Sequence, residues 1–243
     1  MKIASVDLGS NSLSILISEI RNNKIIPVFE RIYLIRLAQG IKNNNFLHKE
    51  AKKRCLNAFK EIDKLLKIYN PDHILGVGTA ALRNSLDGEK FSKIIFNNFN
   101  IPITVISGND EAKLTFLATI NEFKKYNENI YMIDIGGAST EIVFGNLKKI
   151  HWKISLDIGS VALTEEFIKS DPPSQNELKL MQLKIKKILN QKINFTLNKD
   201  KIPLGIGVAG TVTTLKAVDL NVKNYDSEII HGSELKLANL IKI

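Results

Sequence analysis

Asp-x-Gly followed by small polar residues occurs twice in this chain, each time between two apolar runs. Val6-Asp7-Leu8-Gly9-Ser10-Asn11-Ser12 leads into the apolar segment 13–17, and Asp134-Ile135-Gly136-Gly137-Ala138-Ser139-Thr140-Glu141 leads into Ile142-Val143-Phe144. Both stretches read as strand, tight turn, strand. The glycines predict turns that take positive φ and bring backbone N–H groups close to a ligand. Successive N–H groups in such a turn form a concavity for anions, phosphate above all. Asp134, at its strand end, is placed to hold a metal ion against that phosphate. Asp7 and Asp134 lie 127 positions apart, the size of a small domain. The repeat therefore predicts two similar half-domains, each offering a hairpin turn and a carboxylate to one shared cleft.

The chain of 243 residues has room for two such units and a buried core. Its 44% hydrophobic and 24% charged content is that of a globular protein, and no apolar stretch approaches a membrane span. The single cysteine, Cys55, excludes an internal disulfide and makes a reducing cytoplasm the expected location. Nothing near Met1 resembles a secretion signal. A net charge of +9 suits a polyanionic ligand.

Strands are expected at residues 2–7 and 13–18, with two more between Ile25 and Leu37. An amphipathic helix follows over 47–69, stopped by Asn70-Pro71-Asp72. A strand at 74–77, a helix around 88–99 and a strand at 103–106 form a β-α-β unit. Ser107-Gly108-Asn109-Asp110 then introduces a long helix, from Glu111 to about Tyr126, that links the halves. Beyond the second hairpin come a strand near 150–155, a helix over 158–169, and a basic helix opened by the capping box of Ser174 and Glu177. A buried strand at 204–208, a helix from Gly210-Thr211 and an uncapped helix from Glu234 to Ile243 complete the pattern.

On residue types alone, Glu111 is an acid in a first helical turn, where the macrodipole favours it. Arg83 is an arginine near a helix start, and Gly210-Thr211 is either a helix cap or an anion contact. The ordered motifs say more. The two hairpins, together with Gly78-Thr79-Ala80-Ala81-Leu82-Arg83-Asn84, Ile106-Ser107-Gly108-Asn109-Asp110-Glu111-Ala112, the segment from Ser155 to Glu165, Gly207-Val208-Ala209-Gly210-Thr211 and Ile230-His231-Gly232, resemble the exopolyphosphatase / guanosine pentaphosphate phosphohydrolase (Ppx/GppA) family. The resemblance runs from Lys2 to about Leu235. It implies an α/β fold, the duplicated actin-like (ribonuclease H-like) ATPase fold shared with sugar kinases and Hsp70, with domains at 1–125 and 126–243 around a phosphate-binding cleft.

By the same resemblance, Glu111 is the catalytic base, with Asp110 as the alternative by position. Gly9, Ser10, Asn11, Ser12, Arg83, Gly136, Gly137, Ala138, Ser139, Thr140, Gly210 and Thr211 bind phosphate. Asp7 and Asp134, with Glu141 through water, hold Mg²⁺. The implied activity is Mg²⁺-dependent release of terminal phosphate from inorganic polyphosphate or guanosine pentaphosphate. A non-catalytic sensor of the same ligands and a kinase-like phosphotransferase are the alternatives. Nucleic acid and membrane partners are not expected, and a homodimer is a possible assembly. Ala138 replaces a third glycine, Ala162 stands where the family often has arginine, and family members continue past the His-Gly motif. The chain is thus expected to be short at its C-terminus relative to them.

Overall fold

The computed structural model describes residues 1–22, 24–123, 129–193 and 204–243. In the first half, β1 (Lys2–Leu8), β2 (Ser12–Arg21) and β3 (Lys24–Leu34) precede α1 (Ile41–Asn44) and α2 (Lys49–Tyr69). Then follow β4 (His73–Gly78), α3 (Ala80–Arg83), α4 (Gly88–Phe99), β5 (Thr104–Val105) and α5 (Gly108–Glu122). The second half begins with β6 (Ile130–Ile135), β7 (Thr140–Gly145), β8 (Ile150–Leu156), α6 (Ser160–Phe167) and α7 (Gln175–Lys192). It continues with β9 (Leu204–Val208), α8 (Ala209–Asp219), α9 (Ser227–Ile230) and α10 (Leu237–Leu240).

The two sheets repeat one topology. The first has the order β3-β2-β1-β4-β5 and the second β8-β7-β6-β9. In each, three strands form an antiparallel meander and the next pairs parallel to the meander's first strand. The register repeats as well. Asp7 faces Ser14 on one side and Val77 on the other, while Asp134 faces Glu141 and Val208.

Period-two alternation builds the first core. Ala4, Val6 and Leu8 of β1 and Leu13, Ile15 and Ile17 of β2 are buried on one face. Helix α2 covers that face with Ala51, Cys55, Phe59, Ile62 and Leu66, which recur at helical spacing. It starts at Lys49 because His48 is extended and its ring accepts the Glu50 N–H as the cap.

The second core draws on both halves. Ala112, Phe116 and Ile120 of α5 pack on Ile130, Met132, Val143 and Ile206 of the second sheet. The expected linking helix is thus a layer over the other half's sheet, on the face that carries Asp134. Matched register for register, the corresponding positions of the first sheet are Ile3, Ser5, Leu16 and Leu75. That face is open: Leu75 of β4 is 60% exposed, and Ile32 and Leu34 of β3, at the other edge of the sheet, are 60% and 71% exposed.

Several boundaries differ from the pattern. The two strands expected between Ile25 and Leu37 are one strand, β3. Ile17 pairs with Phe29 and Ser18 with Pro27, so Val28 is the extra residue of a bulge that accommodates the proline. The strand expected at 103–106 shortens to Thr104–Val105 at the sheet edge. The 158–169 helix begins only at Ser160, since Gly159 is extended. Helix α5 ends at Glu122, and the part expected beyond residue 123 lies outside the described residues. The tail helix is one turn, Leu237–Leu240. With Leu237 69% and Ile241 76% exposed, no buried face sustains a longer one.

Because Phe116 is fully buried in the second core, Phe116→Ala should lower the unfolding free energy by about 3–5 kcal/mol. Urea denaturation followed by circular dichroism measures it. A loss below about 1 kcal/mol would show that α5 is not part of that core.

Candidate active site

The two hairpin turns are built alike. Gly9 N–H donates to Ser12 O at 2.9 Å, and Gly136 N–H donates to Ser139 O at 3.0 Å. Each turn is gripped through its carbonyls by a later segment of its own half. Asn11 O accepts from Ile35 and Arg36 N–H and Ser10 O from Ala38 N–H, all at 2.9 Å. Gly137 O accepts from Val161 at 2.9 Å and Ala162 at 3.0 Å, and Gly136 O from Ser160 at 3.0 Å. Among the described residues the N–H groups of Ser10, Asn11, Gly137, Ala138 and Ser139 have no acceptor, although Ser10 and Ser139 are buried. Buried donors without partners are costly, and an anion satisfies several at once.

The glycines serve space and not left-handed backbone, which corrects the expected positive φ. The positive-φ glycines are Gly40 and Gly232. A Cβ on Gly9 would lie 3.0 Å from Ser12 O, and one on Gly137 would lie 3.3 Å from Asn11 Cβ and 3.4 Å from Ser10 Cβ. The two turns therefore touch across the cleft. Ala138, in place of a third glycine, carries no positive φ and packs against the first core. Gly159 was not among the expected site residues, yet a Cβ there would fall 2.5 Å from Ala138 N and Gly137 C. Only glycine lets α6 start that close to the turn.

Carboxylates converge between the turns. Asp7 ends β1, Asp134 ends β6, Glu141 starts β7 opposite Asp134, and Glu111 stands in the first turn of α5. Desolvation first, then repulsion from Glu111 and Asp134, pushes Asp7 up to about 6. Its side chain is open to the cleft, so crowding by protein and by like charge, not enclosure, does this. Asp134 also rises to about 6, through desolvation and Glu111, opposed by a hydrogen bond from Thr115. Glu141 is buried and rises to about 7 through desolvation and Glu111. Hydrogen bonds from Ser155, at 2.6 Å, and from Ser139 oppose that rise.

Glu111 is raised by desolvation, with Arg83 and Thr79 acting in the opposite sense. Arg83 Nη1 donates to Glu111 Oε2 at 3.1 Å and to Ile106 O at 3.0 Å. Among the described residues Nε and Nη2 have no acceptor. Asp110 is spoken for: its carboxylate takes the Ser107 hydroxyl at 2.6 Å, and its N–H donates back to Ser107 Oγ at 3.1 Å. Geometry thus separates the two neighbouring acids.

Not every expected donor faces the cleft. Thr140 Oγ1 donates to Ile158 O at 2.6 Å, and Thr211 Oγ1 to Ile135 O at 2.9 Å, so both brace the second turn. Gly210 borders open space, after Ala209 at φ +67°. Thr79 and Ser155 stand within the sequence motifs but were given no site role, and Thr115 escaped the sequence reading. Thr115 lies four residues after Glu111 and so shares its helix face, a signal that was there to use. Ser155 is legible only once the register sets it opposite Glu141.

The residues fit a hard divalent cation. The donors are all oxygen, and desolvation first, then repulsion led by Glu111, lifts the three carboxylates well above their ordinary range, a cost that a cation between them offsets. Among the described residues no three His, Cys, Asp or Glu groups close into a cage. Mg²⁺ takes one or two carboxylates and keeps waters, which Asp7 and Asp134 can provide for, with Glu141 behind.

The comparisons agree with this geometry. The chain is 36% identical to the bifunctional 3-dehydroquinate synthase/phosphatase of Fusobacterium nucleatum, over 96% of its own length but only 36% of that protein. It is 28% identical to exopolyphosphatase 2 of Mycobacterium tuberculosis, over its full length and 78% of the relative. The solved Ppx/GppA enzyme of Aquifex aeolicus superposes with a TM-score of 0.79 at 32% identity, covering all of this chain and 79% of that one. The model of the Ppx/GppA phosphatase family matches residues 16–241. With paired hairpins, repeated sheets and a sequence match over nearly its whole length, the chain belongs to the Ppx/GppA phosphatase family and has its duplicated actin-like ATPase fold.

Proposed function

We propose that the chain is an Mg²⁺-dependent phosphohydrolase that releases terminal phosphate from inorganic polyphosphate, guanosine pentaphosphate or both. The observation that carries this reading is the Arg83–Glu111 pair, whose side chains are 20% and 16% exposed, set beside two turns with unpartnered N–H groups. The similarity to the Mycobacterium exopolyphosphatase supports polyphosphate as a substrate. The sequence division at 125/126 is proposed as the boundary between two units, with α5 crossing it in space.

The turns cradle the phosphate oxygens through the N–H groups of Ser10, Asn11, Gly137, Ala138 and Ser139. Arg83 clamps the terminal phosphoryl group with its free nitrogens while Nη1 stays on Glu111. Glu111 orients the attacking water and takes its proton, a task that its raised pKa favours. Asp7 and Asp134 hold the cation, whose chemistry when bound is to neutralise charge on the phosphoryl oxygens.

Phosphate release from polyphosphate, guanosine pentaphosphate and ATP, with and without Mg²⁺, tests the reading. Binding without turnover on every substrate would make the chain a sensor instead. Glu111→Gln should lower kcat roughly 10²- to 10⁴-fold while substrate affinity holds or rises. Asp110→Asn should keep most of the activity, because its carboxylate is engaged at Ser107. If Asp110→Asn is the inactive variant, the base has been assigned one residue off. Arg83→Lys should weaken tripolyphosphate binding in calorimetry, since a fork becomes a point charge. Unchanged affinity would remove Arg83 from the site.

The raised carboxylates set a pH dependence with a definite sign. Asp7, Asp134 and Glu141 titrate at about 6, 6 and 7 when folded, above model values of 3.8, 3.8 and 4.5. A raised acid contributes stability that is full below its unfolded pKa and is lost as pH rises through its folded pKa. In chelator, the melting temperature should therefore climb by several degrees as pH falls from about 8 towards 5. Mg²⁺ needs the ionised forms, so added Mg²⁺ should raise it at pH 8 and barely at pH 5. Scanning fluorimetry measures both, and a Mg²⁺ effect independent of pH would contradict the carboxylate site.

A further inference from the structure

Glu165, on the last turn of α6, reaches across the cleft. Gly40 N–H donates to both of its carboxylate oxygens, at 3.2 Å each, between residues 125 positions apart. Gly40 sits at φ +73°, a left-handed conformation that turns its N–H toward the other half. The Lys169 ammonium holds the Glu165 carbonyl and steadies that end of the helix.

What Glu165 joins gives the contact its meaning. The segment ending at Gly40 is the one that grips the first turn, through Ile35, Arg36 and Ala38 on Asn11 and Ser10. The helix bearing Glu165 is the one that grips the second turn, through Ser160, Val161 and Ala162 on Gly136 and Gly137. Gly40 and Glu165 thus tie together the two supports on which the phosphate turns are mounted. The turns themselves lie close where Gly137 approaches Asn11 and Ser10, and Ala138 packs against the first core. A cavity of about 690 Å³ lies alongside, lined by Gln39, Gly40, His48, Glu165, Ile168 and Lys169.

We propose that Glu165 is a positioning residue: its hydrogen bond to Gly40 latches the two halves at the separation where both turns reach one phosphate chain. It touches no reacting atom, so its loss leaves the hydrolytic groups intact and depopulates the competent closed state. Apparent affinity falls by the fraction of molecules that remain closed. The inference builds on the phosphohydrolase reading, because a latch matters only if both turns share a ligand.

The test separates the two. Lys90→Cys on α4 and Lys187→Cys on α7 place spin labels on exposed positions of opposite halves. Cys55 is fully buried, with its thiol pushed up to about 12, and stays unlabelled. Pulsed dipolar spectroscopy should give a longer, broader distance distribution in Glu165→Ala than in the doubly labelled parent. Glu165→Gln, which keeps one accepting oxygen, should lie between them. In parallel, KM for tripolyphosphate should rise about tenfold in Glu165→Ala while kcat changes less than about threefold. Glu165→Gln should recover part of the KM.

An unchanged distance distribution in Glu165→Ala overturns the latch, whatever the kinetics show. A lengthened distance in a protein that releases no phosphate in any form leaves the latch standing and removes the phosphohydrolase reading. Should Glu165→Ala fail to fold by circular dichroism, the same distances in Glu165→Gln decide, and no shift there is again the overturning result.

Discussion

Like charge held at close range is the constraint around which this molecule is arranged. Asp7, Asp134, Glu141 and Glu111 repel one another in a cleft that crowds out water, and folding alone does not repay that cost. The surrounding structure reads as a set of partial answers. Arg83 offsets Glu111, Thr115 and Ser155 donate to Asp134 and Glu141, and the unpartnered N–H groups of the turns present positive dipole ends close by. What remains unbalanced is both an excess of negative charge and a shortage of acceptors. On the proposed reading, a cation offsets the negative charge and phosphate oxygens accept from the N–H groups.

The repeat delivers this economically. One design, a meander whose first strand ends in an aspartate before a four-residue turn, is used twice and faced against itself. The differences between the copies are informative. Position for position, Ser14 in the first copy stands where Glu141 stands in the second. Only the second meander brings a carboxylate opposite its aspartate, and the hydroxyl of Ser155 opposite restrains it. The Asp-bearing sheet face is buried under α5 in one half and open in the other.

Much of this was legible in the sequence because it is local. Asp-x-Gly between apolar runs gives the hairpins, helical spacing from Ala51 to Leu66 gives α2, and Ser174 with Glu177 gives the capping box that the structure contains. What could not be read depends on contacts between distant segments. The role of the turn glycines was misjudged because their neighbours, Asn11 across the cleft and Ser12 within the turn, set the space available. Gly159 looks like any glycine before a helix until the backbone of Gly137 is seen beside it. The different partners of Glu111, which meets Arg83, and Asp110, which meets Ser107, could not be read from two acids one step apart.

Helix α5 has one more implication, for modularity. It is encoded with the first half and carries the acid that meets Arg83 of that half, yet Ala112, Phe116 and Ile120 are interior residues of the second. The two halves are therefore joined through a shared helix and not by a tether alone. Severed ahead of β6, the leading fragment would carry a greasy helix with nothing to lie on, and the trailing fragment would expose Ile130, Met132 and Val143. Each fragment is the other's missing wall. Such a chain tolerates exchange of its ends or loops more readily than exchange of a half for a foreign one, since a transplanted half would arrive without the layer that completes it.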